Sequence, residues 1–501
     1  MAASIGNAPE CSFANGGSVA LDSVPTLPMA TLTSFAIQAR DRGKSLVALL
    51  PFCDGSCDRL LLVLSDPSTG RLSASWFKLD GVDGWPSMTP LWPAAHLFER
   101  EVFENWGLKP IGHPWLKAVR QHRELEAGQE APSHPFLRAA GEGVHEVAVG
   151  PIHAGIIEPG HFRFQCFGEE ILHLEIQLGY QHRGAEALLE KATPARRLVV
   201  AESIAGDTAI GHVLAYCTAI EALSGTMVPL RAQVIRGVAL ELERLANHVG
   251  DLGALCNDVG YLPGAAYFGR MRGDFLNLLL ELSGNRFGRS LIVPGGVRFD
   301  IAADLQARLL ARLEADEPHL KDTAELMFST PSVLSRFEGT GVVDAKTAGE
   351  FGFVGPTARA CGIARDIRSD HPGGVYQFTH IPVALAEGGD VMARATVRWL
   401  EVLRSLQFVR EQLVRLPAGA LRGDSGALHP STLTVALVEG WRGAIAHVVM
   451  TDERRAVARH KVIDPSFHNW FAVALAVRGG QVSDFPLCNK SFNLSYAGHD
   501  L

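Results

Sequence analysis

The sequence predicts an α+β protein, in which a small N-terminal α/β sheet domain precedes a larger domain with a central helical bundle and peripheral β-hairpins. Two kinds of periodicity carry this prediction. Residues 33–80 and 161–180 contain short apolar or alternating runs bounded by turn residues, which is typical of strands. Residues 195–290 and 390–416 instead repeat apolar side chains at helical spacing. The 501 residues are enough for two to four domains of roughly 150 residues each.

The predicted strands occur in three places. SLVALLPF and RLLLVLSD, between residues 45 and 66, are apolar runs separated by a turn. HFRFQCF (161–167) and ILHLEIQLGY (171–180) alternate apolar and polar residues around a Gly-Glu-Glu turn and predict a hairpin. Near the C-terminus, STLTVALVE and AIAHVVM flank Gly-Trp-Arg-Gly and predict a second hairpin. One face of each pair is expected to be buried.

Two long helices are predicted. The first places Val234, Val238 and Leu242 near one stripe, as expected for a helix in a bundle core. The second begins with Asp390 as its N-cap and ends before Pro417, because proline cannot continue a helix. These helices define the central bundle of the larger domain.

Composition shifts along the chain predict its organisation. Residues 121–143 are charged, contain proline and glycine, and lack periodicity, which is typical of a linker. We therefore predict a flexible N-terminus (1–30), a small α+β domain (31–125), a linker (126–143) and a large domain (144–501).

Charge and cysteine content exclude several functions. The chain has 46 Lys and Arg against 54 Asp and Glu, so its net charge of −8 offers no general attraction for nucleic acid. The eight cysteines are scattered without a C-x-x-C pair, and no G-x-G-x-x-G motif predicts dinucleotide binding. The first 30 residues lack the pattern of a signal peptide, and no window is apolar enough to cross a bilayer, so we expect a cytoplasmic chain that does not itself span a membrane.

Polar residues in two loops are candidates for chemistry. His153, Glu158 and His161 lie in one loop just before the predicted hairpin, where imidazole and carboxylate groups can transfer protons. Asp258 follows the first long helix in Asn-Asp-Val-Gly. The alternative is that the loop is a turn with exposed histidines and that Asp258 belongs to a helix-terminal turn.

Seven segments in order resemble one family, the large subunit of membrane-bound, energy-converting nickel-iron hydrogenases of the formate hydrogenlyase type and the homologous quinone-site subunit of respiratory complex I. They span about residues 145–501: GPIHAGIIEPGHFRF, LGYQHRGAEALLE, HVLAYCTAIEALSGTMVPLRAQVIRGVALELERLANHVGDLGALCNDVGY, PGGVRFD, GTGVVDAKTAGEFGFVGPTARACGIARDIRSDHP, GDVMARATVRWLEVLRSL and VEGWRGAIAHVV. FEREVFENWGLKPIGHPWLKAVR makes residues 31–125 resemble the smaller peripheral-arm subunit of complex I.

This resemblance implies a fold, partners and a location. The large domain is expected to have the hydrogenase large-subunit fold and to pack against a small subunit whose iron-sulfur cluster delivers electrons. Antiporter-like membrane subunits are expected as further partners. The complex would then hold this chain peripherally at the cytoplasmic face of the cell membrane.

The resemblance also identifies the positions of the metal ligands. Hydrogenases of this family hold nickel and iron with thiolates from two C-x-x-C pairs, which fall here on Ala205 and Thr208 and on Ser495 and Gly498. Methyl, hydroxyl and hydrogen side chains do not replace the soft sulfur that such a metal pair prefers. We therefore expect no nickel-iron centre, no other cofactor bound by this chain, and no hydrogenase activity.

A quinone site in the manner of complex I is only partly supported by the sequence. The tyrosine expected at the headgroup falls on Gly206, and the loop containing His153 follows the hydrogenase pattern E-P-G-H-F-R. Asp258 matches the aspartate that lies behind the headgroup histidine in that family.

Three functions remain open. The favoured hypothesis is a subunit of an NADH-quinone-oxidoreductase-like or formate-hydrogenlyase-like complex that passes electrons to a quinone or another small acceptor, with His153, Glu158, His161 and Asp258 lining the cleft. The second is a redox-silent structural subunit that couples soluble and membrane arms. A hydrogenase with substitute ligands is the third.

Overall fold

A computed structural model describes residues 9–54, 56–79, 84–120, 135–152 and 157–501. It has a mixed α+β architecture, with sheets at the N-terminus and long helices in the centre. Most of the predicted linker, residues 126–134, lies outside the described residues, and so does His153. None of the described helices is long and apolar enough to cross a membrane.

The N-terminal part is built on an antiparallel sheet in the order β1-β6-β5-β4, with β3 added in parallel beside β6. Leu49, Leu62 and Trp76 are fully buried in its core, because strand pairs rich in apolar residues cover each other's faces. Its elements are β1 (Cys11–Ala14), β2 (Ser18–Ala20), β3 (Thr26–Pro28), α1 (Leu32–Asp41), β4 (Ser45–Asp54), β5 (Ser56–Asp66), β6 (Arg71–Lys78), β7 (Gly84–Pro86), α2 (His96–Trp106) and β8 (Lys109–Ile111).

Helix α2 is fixed by one buried carboxylate. Glu99 is fully buried and accepts hydrogen bonds from Trp85 Nε1 (3.0 Å), the backbone N–H of Met88 (2.8 Å) and the hydroxyl of Thr89 (2.6 Å). Several donors on one carboxylate replace its hydration, as a buried charge requires. Glu99, in the FEREVFENW segment of α2, therefore holds this helix against residues 85–89.

The next part carries the loop with the candidate residues and leads into the helices. A three-stranded sheet, in the order β11-β10-β9, contains the predicted hairpin with its turn at Gly168. Its elements and the helices that follow are β9 (Val144–Val149), β10 (His161–Phe167), β11 (Glu170–Gln177), α3 (Ala185–Lys191) and α4 (Pro194–Ala201).

The central bundle is organised around one 29-residue helix, α6, which packs against α7 and against the long helix Val391–Val414 further along the chain. The predicted stripe of Val234, Val238 and Leu242 is buried in this core. Its elements are α5 (Ala209–Ser224), α6 (Leu230–Asp258), α7 (Leu262–Ser283), β12 (Ile292–Val293), β13 (Gly296–Val297) and α8 (Ala303–Ser329).

Helix α13 completes the bundle and begins as the sequence predicts, because the Asp390 carboxylate accepts the backbone N–H of Ala393 (2.7 Å). The segment from α8 to this helix consists of short helices. The elements are α9 (Pro331–Phe337), α10 (Ala345–Phe351), α11 (Gly355–Arg359), α12 (Ile367–Asp370) and α13 (Val391–Val414).

The C-terminal sheet joins the two parts of the chain. The predicted hairpin forms, with Gly440 opposite Gly443, and one sheet face packs on the N-terminal core through residues such as Val435 and Val448. The other face packs on α5. The elements are β14 (Thr432–Gly440), β15 (Gly443–Thr451), β16 (Val457–Ile463), α14 (Pro465–Ala476), α15 (Phe485–Phe492) and α16 (Tyr496–His499).

Residues 9–30 lie within the segment for which the sequence predicts flexibility. They contribute strands to the N-terminal sheet and to the C-terminal sheet. Strand β2 pairs antiparallel with β14, and Asn15 exchanges hydrogen bonds with the backbone of Leu437 (2.7 and 3.0 Å). The free edges of β6 and β14 offer unpaired backbone groups, which these short strands satisfy. Neither partner is near in sequence, so local composition does not reveal the pairing.

Candidate functional site

Arg442 brings together the two segments that the resemblance assigns to metal ligands. It lies in the turn of the β14–β15 hairpin and is buried. Its guanidinium forms a two-pronged ion pair with Asp207 (2.6 and 2.8 Å), and its Nε donates to the backbone carbonyl of Asn493 (2.5 Å). Residues 205–208 and 493–498 therefore lie on either side of one cation.

The side chains at three of the four ligand positions are buried, and both of their hydroxyl groups are in use. Ala205 offers a methyl group only. The Thr208 hydroxyl accepts N–H groups from Trp441 (3.1 Å) and Arg442 (3.1 Å). The Ser495 hydroxyl caps α16 by accepting the backbone N–H of Gly498 (2.8 Å).

The fourth ligand position, Gly498, lies directly against a carboxylate. A Cβ atom at this position would be 2.5 Å from the Asp464 carboxyl carbon, so no larger residue fits without displacing Asp464. Asp464 is itself buried and held by His212 Nε2 (2.9 Å) and by the backbone N–H of Ser466 (2.7 Å). The space beside residue 498 is thus filled by a negatively charged side chain.

Glu158 reaches the same turn from the loop before β10. Its carboxylate accepts the backbone N–H groups of Tyr496 (3.1 Å) and Ala497 (3.4 Å), between the last two ligand positions. Gly160 permits this approach, because a Cβ there would collide with the Tyr496 ring. Burial raises the pKa of Glu158, although the two backbone N–H groups and Arg442 act in the opposite direction.

Neither His161 nor Asp258 is part of the group of side chains around Arg442. His161 begins β10, where its ring contacts Phe136 edge-on (5.5 Å between centroids), and burial lowers its pKa. Asp258 is the last residue of α6, and its side chain is largely exposed; the surrounding protein still desolvates the carboxyl enough to raise its pKa, while Lys490 acts in the opposite direction. Lys490 also donates to the Asn493 side chain (3.1 Å), so the connection from Asp258 to Arg442 runs through Lys490 and Asn493.

The central residues of this arrangement are therefore Glu158, Asp207, Arg442 and Asp464, and the sequence prediction named only the first. Arg442 is in the Gly-Trp-Arg-Gly turn that the sequence identifies as a hairpin, and Asp207 is adjacent to a ligand position. A cation in a tight turn and an acid in a buried loop are signals for an ion pair, but 235 residues separate the partners. Carboxylates around one guanidinium can bind a polar acceptor and hold a proton.

A cavity of about 430 Å³ lies elsewhere, between α5, α6 and β14. Its wall includes the buried ion pair of Glu221 with Arg236 and the carboxyl of Glu439, and burial together with Asp366 raises the pKa of Glu439 to about 7. Neither Glu158 nor Asp258 lines it. Within the described ranges, no group of three or more His, Cys, Asp or Glu residues is arranged to hold a metal ion.

Two family models match parts of the chain. Residues 258–432 match the 49 kDa subunit of respiratory-chain NADH dehydrogenase. Residues 64–138 match the 30 kDa subunit of the same enzyme. The two matches lie in the large and small parts of the chain, respectively, as the sequence motifs predict.

Individual relatives cover most of the sequence. Formate hydrogenlyase subunit 5 of Escherichia coli K12 is 33% identical over 438 residues, which are 83% of this chain and 77% of that protein. NADH-quinone oxidoreductase subunit 4 of Thermus thermophilus is 30% identical over 364 residues, covering 67% of this chain and 89% of that protein. Among solved structures, a chain of the membrane-bound sulfane sulfur reductase, an archaeal respiratory membrane complex, superposes with a TM-score of 0.67 at 26% identity and covers 72% of this chain and 99% of that one.

Proposed function

Because this chain belongs to the family of the complex I 49 kDa and 30 kDa subunits, together with formate hydrogenlyase subunit 5, we propose that it is the large subunit of a membrane-associated, complex I-like oxidoreductase. In this complex it passes electrons from an iron-sulfur small subunit to a quinone or another small acceptor. Antiporter-like membrane subunits anchor the complex, with this chain at the cytoplasmic face. The respiratory and hydrogenlyase names of its relatives support this assignment.

The observation that carries the proposal is the charged group of side chains in the place of the ligand thiolates. Asp464 fills the space beside Gly498, and Arg442 with Asp207 occupies the region beside Thr208. A nickel-iron pair needs soft sulfur donors, and the hydroxyls of Thr208 and Ser495 already accept other N–H groups. The residues present do not fit that metal pair, so we propose a site without a nickel-iron centre.

The same residues suit an acceptor that takes up protons as it is reduced. The Arg442 guanidinium is fixed by Asp207, so it needs little reorganisation to donate a hydrogen bond to an acceptor oxygen. Glu158 is partly buried, and its raised pKa favours the protonated form that can donate to that oxygen. Lys490 acts on the charge of Asp258 and donates to Asn493, whose backbone carbonyl accepts from Arg442.

Purified complex tests the proposal. We expect reductase activity with a water-soluble quinone, sensitive to a quinone analogue and strongly reduced in Glu158→Gln and Asp258→Ala. Glu314→Gln, an exposed carboxylate on α8, serves as the matched control and should leave the activity unchanged. Unchanged rates in both site variants would refute the site assignment.

Metal analysis separates this function from a hydrogenase. We expect no stoichiometric nickel in the purified complex and no hydrogen uptake or evolution, whereas iron should be present in the small subunit. Nickel at one atom per chain, together with hydrogen turnover, would overturn the proposal. A complex that assembles without any acceptor reduction would instead favour the redox-silent structural subunit.

A further inference from the structure

Three histidines form a continuous hydrogen-bonded chain in the interior, apart from the side chains assigned above to the acceptor. His212, His447 and His460 are each fully buried. His212 Nδ1 lies 3.4 Å from His447 Nε2, and His447 Nδ1 lies 2.9 Å from His460 Nε2. Burial of an imidazole costs free energy unless its ring nitrogens have hydrogen-bond partners.

The fold explains why these residues meet. His212 and Tyr216 are four residues apart on α5 and therefore project from the same helix face. His447 on β15 pairs with Val462, and His460 on β16 pairs with Val449, so the two histidines are diagonal neighbours on one sheet face. Helix α5 packs on this face, with Tyr216 stacked on His460 (5.9 Å between centroids, 7° between planes).

With all three rings neutral, an ionised Asp464 at one end gives the whole chain one direction. The pKa of Asp464 is held low, against the effect of burial, by His212 and Arg442, so its carboxylate accepts and His212 Nε2 donates. In this arrangement a neutral His212 accepts at Nδ1 from His447 Nε2, and His447 Nδ1 accepts from His460 Nε2. Burial lowers the pKa of His447 well below its usual value and that of His460 to about 3, which keeps both rings neutral at rest.

This order leaves one ring nitrogen open at the far end. His460 Nδ1 is buried and has no hydrogen-bond partner among the described residues. In the neutral ring it carries a lone pair, so it can accept a proton. On the same residue, the backbone N–H donates to Glu190 of α3 (3.2 Å), which is partly exposed and pairs with Arg459 (2.6 Å), and Arg197 of α4 acts on the charge of the ring, so the chain ends near α3 and α4.

The opposite end lies at the candidate site. The Asp464 carboxylate lies against Gly498, one residue from the Ala497 N–H that binds Glu158. Arg442 acts on the charge of both carboxyl groups. A proton that reaches Asp464 has therefore crossed the sheet–helix interface and arrived beside the acceptor.

We propose that His460, His447, His212 and Asp464 form a proton relay from the α3–α4 surface to the site around Arg442. A proton bound at His460 Nδ1 releases the one on its Nε2 to His447 Nδ1, and the same exchange passes a proton through His212 to Asp464. Each ring gains one proton and loses one, and rotation of the rings resets the chain. The relay rests on the proposed function, in which a quinone takes two electrons from the iron-sulfur subunit and two protons to become a quinol.

The discriminating variant is His447→Gln. A glutamine offers one N–H and one C=O in place of the two ring nitrogens, so it can preserve both hydrogen bonds and the neutral charge. An amide does not exchange its proton as an imidazole does. A purely structural histidine would therefore be replaced well by glutamine, whereas a relay would be interrupted. His319→Gln, at an exposed histidine on α8 outside the chain, is the control.

We expect His447→Gln complex to keep its melting temperature and its iron content while quinone reduction falls roughly tenfold or more. The remaining rate of the variant should show a larger solvent isotope effect in D₂O than the wild-type rate, because proton delivery has become rate-limiting. His319→Gln should behave as wild type. A His447→Gln rate within about twofold of wild type, in the folded complex, would overturn the relay.

A second measurement separates the relay from the proposed function. Nitrogen NMR of the complex with isotope-labelled histidine should show His212, His447 and His460 as neutral Nε2–H tautomers, with coupling across the two imidazole–imidazole hydrogen bonds. Uncoupled rings or Nδ1–H tautomers would refute the relay even if the complex reduces quinone. A wild-type complex without reductase activity would refute the proposed function, and the NMR result would then decide the relay.

Discussion

The Asp464 carboxylate fills the space that a side chain at Gly498 would occupy. Asp464 cannot move aside freely, because His212 and the backbone of Ser466 hold both of its oxygens. A side chain at residue 498 and the buried Asp464 carboxylate therefore exclude each other in this chain. A larger residue at position 498 requires removal of Asp464.

Gly498→Cys should therefore destabilise the protein. We expect a loss of about 1–3 kcal/mol in the free energy of unfolding, as for other overpacked buried sites, measured by denaturant titration. Gly206→Ala is the control, because a Cβ there meets nothing within 4 Å, and it should change stability by less than about 0.5 kcal/mol. The double variant Gly498→Cys with Asp464→Ser should recover part of the loss, and equal stability of Gly498→Cys and wild type would contradict the packing.

Arg442→Lys should impair acceptor reduction more than stability. A lysine keeps the charge but cannot make the two-pronged contact with Asp207 while also reaching the carbonyl of Asn493. We expect reductase turnover to fall roughly 100-fold, comparable to the loss of one preorganised donor in other enzymes. Arg336→Lys, a partly exposed cation paired with Asp484, is the control. Wild-type turnover in Arg442→Lys would argue against a role for the guanidinium.

Glu158 predicts the pH dependence of turnover. Burial raises the pKa of this carboxyl, so its protonated form persists above the pH at which an exposed glutamate ionises. Proton donation should be fullest at low pH and decline as the pH rises through the raised pKa. Glu158→Gln should abolish this descending limb in a pH–rate profile. If the limb survives unchanged in the variant, another group must be responsible for it.

Glu243 predicts the pH dependence of stability. It is buried and accepts the backbone N–H groups of Ile210 (2.7 Å) and Gly211 (3.0 Å), and burial raises its pKa to about 8. The folded pKa exceeds the ordinary value of 4.5. With respect to this group, the protein is therefore most stable below pH 4.5 and loses stability as the pH rises from there through about 8. Urea unfolding between about pH 4 and pH 9 should show this loss, at about 1.4 kcal/mol per pKa unit. Glu243→Gln should flatten the curve, and an equally steep curve would refute the assignment.

Glu99→Ala should destabilise the N-terminal core without changing the site. It would leave the indole N–H of Trp85 and the backbone N–H of Met88 buried without their acceptor. We expect a loss of at least about 3 kcal/mol, followed by Trp fluorescence during denaturant unfolding. Glu170→Ala, an exposed glutamate on β11, is the control and should be nearly neutral. A small loss in Glu99→Ala would mean that water replaces the carboxylate.

Local sequence signals predict the helices and strands but not the long-range contacts between them. The N-cap at Asp390 and the hairpin closed by Gly440 and Gly443 depend on residues close in sequence, so the pattern was sufficient. The Asp464–His212 contact joins residues 252 positions apart, and nothing in either neighbourhood specifies the other. For the same reason Glu158 was identifiable from its loop, whereas its backbone partners near the C-terminus were not.

The pairing of β2 with β14 has a consequence for any attempt to divide the polypeptide. A fragment that starts after residue 30 would expose a bare strand margin on the C-terminal sheet, where a second molecule could add by backbone hydrogen bonds. A fragment that contains only the N-terminal domain would in turn lose the apolar surface of β14 and β15 against which this domain packs. Separate expression of the two halves would therefore invite self-association, and co-expression would be needed to obtain either in native form.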